Sequence, residues 1–150
     1  MKIIIHLKQK LKMGNYKLTN KNKNLNWKLI EDINWGYLIK QYPQHPYDYV
    51  GEFCTTNYTL REIILLQNFV VEKRKELQNT LRGKIKGIGD DSFWDLCSHI
   101  VGLGESVYNL CLKYPKIAQI LVNDKVENFE YGFTKAIYDI QEKENYTNVQ

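Results

Sequence analysis

With 150 residues, 43% of them hydrophobic and 13% aromatic, the chain can bury one core without staples and is too apolar for wholesale disorder. Its charge of +4 is uneven: residues 1–30 hold eight lysines and no acid, and subtracting those eight from the total leaves the other 120 residues at −4. No apolar run reaches the roughly 18 residues of a membrane span, Ile3-Ile4-Ile5 is too short for a signal-peptide core, and three cysteines at irregular spacing do not form a disulfide framework, so the reading is an unexported, cytoplasmic protein in a reducing compartment with no membrane partner.

In chain order, residues 1–24 form a basic arm carrying Lys2, Lys8, Lys10, Lys12, Lys17, Lys21 and Lys23. Its polar stretch from Gly14 to Asn24 shows no period and is expected to be flexible. Residues 25–146 form the single helical domain. Asn26 is placed to cap a helix from Trp27 to Gln41, with Trp27, Ile30, Ile33, Tyr37 and Leu38 at helical spacing and Trp35-Gly36 loosening its middle. Pro43 and Pro46 end it, so Gln41 to Tyr49 reads as an aromatic loop and Gly51 to Asn57 as its continuation.

Thr59-Leu60-Arg61-Glu62 is a capping box and opens the longest helix, Leu60 to Arg82. Leu60, Ile63, Ile64, Leu66, Phe69, Val70, Leu77 and Leu81 form its apolar side, Glu72 to Glu76 a charged surface segment, and Gly83 its stop. After a glycine-rich connector, Ser92 to Tyr114 organises the chain. A helix from Phe93 to Val101, capped by Ser92, is broken at Gly102-Leu103-Gly104 and resumes from Glu105 to Lys113. Pro115 starts a short helix. Val126, Phe129, Phe133, Ala136, Ile137 and Ile140 mark the last one, to about Glu142, with a frayed tail after Glu144. Trp94 and Phe129 are expected in the core. The fold class is all-α: a compact bundle of five or six helices, two longer and several short, behind the arm.

Three patterns compete for a function. Tyr42, His45, Tyr47 and Tyr49 crowd the Pro-bounded loop, and tyrosine anchors protein interfaces. The lysines Lys8, Lys10, Lys12, Lys17, Lys21 and Lys23 can neutralise phosphates without sequence preference. Lys84 and Lys86 flank Gly87-Ile88-Gly89, and this stretch resembles the helix-hairpin-helix pattern, whose glycine amides contact a DNA phosphate. Asp90 and Asp91 directly after the glycines, with bulky Phe93 and Trp94, oppose that reading; glycines that end one helix and acids that start the next account for the same residues.

Cys54, Cys97, Cys111 and His99 lack the spacing of a zinc site. They read as buried thiols and a surface or capped histidine, with Cys97 and His99 on different sides of a helix. Cys54 and His45 could supply Cys-His chemistry, but no orienting partner or oxyanion donors are recognisable. The sequence therefore points to a non-enzymatic helical interaction protein, a regulatory or structural subunit that binds another protein. Nucleic-acid binding is the alternative and Cys/His enzyme chemistry the third reading. No catalytic residue, metal ligand or cofactor is assigned.

Overall fold

The computed structural model describes residues 20–149, with side chains from 25 to 147. All regular structure among the described residues is helical: α1 (Asn20–Ile33), α2 (Trp35–Gln41), α3 (Pro46–Asn57), α4 (Leu60–Leu81), α5 (Asp90–Gly102), α6 (Glu105–Lys113), α7 (Pro115–Leu121) and α8 (Glu130–Val149). The expected five or six helices fall short because a segment read as one helix is two, and a segment read as loop is a helix.

The first difference arises at Asn34, not at Trp35-Gly36. Asn34 adopts the left-handed conformation, φ 59°, which asparagine tolerates better than most residues. Its carbonyl accepts the amides of Tyr37 and Leu38 and so starts α2. Asn26 is buried inside α1 and is not its cap. The second difference arises at Pro46, which occupies the first turn of α3. There a missing N–H costs nothing, so the proline starts a helix instead of ending one. Asp48 sits in the same turn, near the positive end of the dipole.

α4 begins as its capping box requires. The Thr59 amide donates to Glu62 Oε1 at 2.9 Å, and Thr59 Oγ1 accepts the Glu62 amide at 3.3 Å. Its stop at Gly83 has φ +76°. α4 buries Ile63, Leu66, Phe69, Val70, Leu77 and Leu81, whereas Leu60 in its open first turn is only half-buried and Ile64 is exposed, off the buried stripe. Lys73 and Arg74 are buried too, so the Glu72–Glu76 segment is not simply a solvated face. α5 is capped by Gly89 with no side-chain hydrogen bond, which removes Ser92 from that role, and its last seven residues, Leu96 to Gly102, are all buried. α8 starts at Glu130, after Val126, and runs past the expected end to Val149.

Trp35 sits at the centre of the α2–α5–α8 junction. Its ring lies 5.1 Å from that of Phe129, and a Cβ added to Gly102 would come within 2.6 Å of the indole. Phe129 is fully buried, as expected, but Trp94 is not: it is 45% exposed. It falls outside the buried face of α5, and its ring instead carries the Arg74 guanidinium at 3.8 Å.

α3 and α8 approach through two glycines. A Cβ on Gly51 would stand 3.3 Å from the Gly132 carbonyl oxygen, and a Cβ on Gly132 would overlap Val50. Alanine gains about 1 kcal/mol over glycine in a helix, which offsets only part of that overlap. Gly132→Ala is therefore expected to lower stability by roughly 1–3 kcal/mol in a urea melt. An unchanged midpoint would mean that the two helices separate freely.

Candidate interaction surface

Two pairs of aromatic rings involve the start of α3, and one of them reaches across to α8. Tyr42, just before α3, stacks on Tyr49 one turn into it, with ring centroids 3.8 Å apart and planes 19° apart. Tyr47 meets Tyr131 of α8 edge to face at 6.4 Å. Tyr131 is 56% exposed, and Tyr138, seven residues on along the same side of α8, is 62% exposed. Both rings of the stack remain more than a third exposed. The aromatic residues read as a loop are thus presented partly on a helix, with a rigid backing from α8.

The charges around these rings are paired with one another. Lys135 Nζ lies 3.9 Å from Asp48 Oδ1 and 3.6 Å from Asp139 Oδ2. His45 is exposed, with Nδ1 3.8 Å from Asp48 Oδ2. The charged side chains beside these rings are thus one lysine and two aspartates, with an exposed histidine next to one of them. Tyr42 and His45 lie just before α3 and Tyr47 and Tyr49 in its first turn, but Tyr47 and Tyr49, two residues apart, point to different sides of the helix. Tyr131 and Tyr138 were missed, although they interrupt the apolar positions Phe129, Phe133, Ala136 and Ile140 at a spacing of seven, which marks the outer face of the same helix.

Lys8, Lys10, Lys12 and Lys17 lie outside the described residues, while Lys21 and Lys23 fall on the first turns of α1. Lys84 and Lys86 are exposed. Only Gly87 of the Gly-Ile-Gly turn has a backbone that needs glycine, φ +73°; Gly89 has φ −82°. Gln119 of α7 clamps the turn, since the Lys86 amide donates to Gln119 Oε1 at 2.8 Å and Gln119 Nε2 donates to the Lys86 carbonyl at 3.1 Å. The Lys86 backbone is thereby held within the fold, and Asp90 and Asp91 stand exposed at the start of α5.

The thiols are sealed. Cys54, Cys97 and Cys111 are free and buried. Burial pushes the Cys54 thiol far above its ordinary range, Cys97 to about 12 and Cys111 to about 11, so the nucleophilic thiolate is suppressed at neutral pH. Cys54 is wholly inside the core while His45 stands in solvent, and the structure does not join them. His99 is not a surface residue: it is 3% exposed, and Nδ1 accepts a hydrogen bond from Trp35 Nε1 at 3.0 Å. Cys97 and His99 share the buried end of α5 rather than dividing between core and surface.

A polar network lies under the exposed Trp94. Arg74 of α4 donates from Nε and Nη2 to the Glu130 carboxylate at 3.0–3.3 Å, and from Nη1 to Gln78. Ser98 Oγ donates to Asn128 Oδ1, Asn128 Nδ2 donates to Asp95, and the Glu130 amide donates to Asn128 Oδ1. This network ties α4 and α5 to the first turn of α8 and so fixes the helix that carries Tyr131 and Tyr138.

Among the described residues no group of three or more His, Cys, Asp or Glu is placed to hold a metal ion, and no helix is long and apolar enough to cross a membrane. No protein-family model, curated protein or solved structure matches the chain, so its role has to be read from its own surface.

Proposed function

We propose that this protein is a non-enzymatic regulatory or structural subunit that binds another protein through the tyrosine surface of α3 and α8. The observation that supports this most is the pairing of rings at the surface, exposed Tyr42 on exposed Tyr49 and half-buried Tyr47 against exposed Tyr131. Tyrosine offers a large, stiff contact area with a hydrogen-bonding tip, and it loses little side-chain entropy on docking. Rings already stacked in the free protein lose less still. The charges beside them are paired within the chain, which suits a surface whose centre is aromatic and whose rim is polar.

The test uses the full chain and a triple variant, Tyr42→Ser/Tyr49→Ser/Tyr138→Ser, in affinity capture from native lysate after nuclease treatment. The expected result is one protein retained by the wild type, lost with the triple variant, and kept by a Trp94→Ala control, which removes an exposed aromatic ring that belongs to neither tyrosine pair. Interface anchors of this kind contribute at least about 2 kcal/mol each, so the loss should exceed thirty-fold in a titration with that partner. Retention that survives the triple variant would remove the tyrosines from the interface. Retention that vanishes with nuclease would favour the nucleic-acid reading, carried by Lys8, Lys10, Lys12, Lys17, Lys21, Lys23, Lys84 and Lys86.

A further inference from the structure

His99 has one nitrogen in use and one to spare. Nδ1 accepts the Trp35 indole proton, so the neutral ring carries its own proton on Nε2. No described residue accepts a hydrogen bond from that nitrogen. Nε2 is not one of the sealed, unpartnered side-chain atoms of the described residues, and the side chain lines an open pocket, so its N–H is open to an incoming acceptor. Burial also holds the ring neutral, with its pKa lowered to about 4, so Nε2 remains a neutral N–H donor throughout the physiological range.

The side chain lines a pocket of about 530 Å³ between α2, the end of α5 and the segment after α7, within the range of about 300–1,000 Å³ usual for small-molecule sites. Ile39 and Leu103 form its apolar wall, and Lys40, Lys125 and Asp124 its charged rim. Two ammonium groups face one carboxylate, so the rim favours an anion although Asp124 opposes it. Lys125 Nζ also donates to the Pro43 carbonyl, which fixes it at the mouth.

We propose that this pocket binds a small organic carboxylate with a compact apolar body. One carboxylate oxygen accepts the His99 Nε2 proton, the lysines neutralise the charge, and the apolar part lies against Ile39 and Leu103. A carboxylate is favoured over a neutral acceptor because hydrogen bonds to an ionised acceptor are stronger and because the rim is net positive. The site is separate from the tyrosine surface and stands whether or not that surface binds a protein.

Phenylacetate is the probe. It is titrated into the full-length protein labelled with 15N while the Trp35 indole N–H signal is followed, since that proton reports directly on the His99 ring. The expected result is a saturating shift of this signal. Lys40→Met/Lys125→Met, and phenylacetamide in place of phenylacetate, should each weaken binding about three- to five-fold. If the double variant melts early because the Pro43 contact is lost, Lys40→Met alone carries the test, as no contact within the fold depends on it. A shift that does not saturate, or equal binding of the neutral amide, or indifference to Lys40, would overturn the proposal.

Discussion

Glu130→Ala is expected to destabilise the protein by about 3–5 kcal/mol, because it leaves a guanidinium buried without its counter-charge. The Arg74 and Glu130 side chains are only 5% and 10% exposed and meet at 3.0 Å. Removing the carboxylate also loosens the start of α8, whose first amide is held by Ser98 and Asn128. Urea denaturation at neutral pH measures the cost. The double variant Arg74→Met/Glu130→Met should be less damaged than Glu130→Ala, since replacing both members with apolar groups removes the unpaired charge. A cost below about 1 kcal/mol for Glu130→Ala is what a solvated surface pair would give, and would show that water reaches the pair.

The second large effect is a loss of stability in acid traced to His99. Burial lowers its pKa from 6.5 to about 4, with Asp124 acting weakly in the other direction. The folded ring is therefore neutral where the unfolded chain's ring takes up a proton. Above pH 6.5 the stability is fully present; as pH falls from 6.5 towards 4 the unfolded state binds the proton first, and stability declines. The gap between 6.5 and about 4 corresponds to roughly 3 kcal/mol at the low end. Glu31 works oppositely: its carboxyl pKa is raised by burial and then by Glu105, so acid relieves a strain there. Comparing the wild type with His99→Gln, in which an amide oxygen can still accept the Trp35 indole, isolates the His99 part. The variant should change less in stability between pH 7 and pH 4.5; parallel curves would show that the ring is hydrated in the folded state.

The helical class, the capping box of α4, the stop at Gly83, the buried stripe of α4 and the burial of Phe129 followed from the sequence, because each depends on residues within one or two turns. The same spacing held a further signal: Lys73 and Arg74 occupy the positions between Phe69, Val70 and Leu77 and so lie on the buried stripe. Their charge suggested solvent, but Glu130, fifty-six residues on from Arg74, supplies the partner that lets the arginine stay inside. Nothing near Arg74 in the sequence announces that pairing.

Tertiary structure also decided the segments where one residue type has two uses. Pro46 can end one helix or begin the next, and α3 forms because its Gly51 face closes on Gly132 of α8. Trp94 and Trp35 are equally apolar as sequence, yet packing at Gly102 buries Trp35 while Trp94 stays outside against Arg74. His99 reads as polar and exposed until the Trp35 indole, sixty-four residues away, is brought to its Nδ1. Local spacing and capping thus determined most helices of this protein, whereas burial of charge, the inward turn of His99 and the meeting of Tyr47 of α3 with Tyr131 of α8 depended on contacts between residues far apart in the chain.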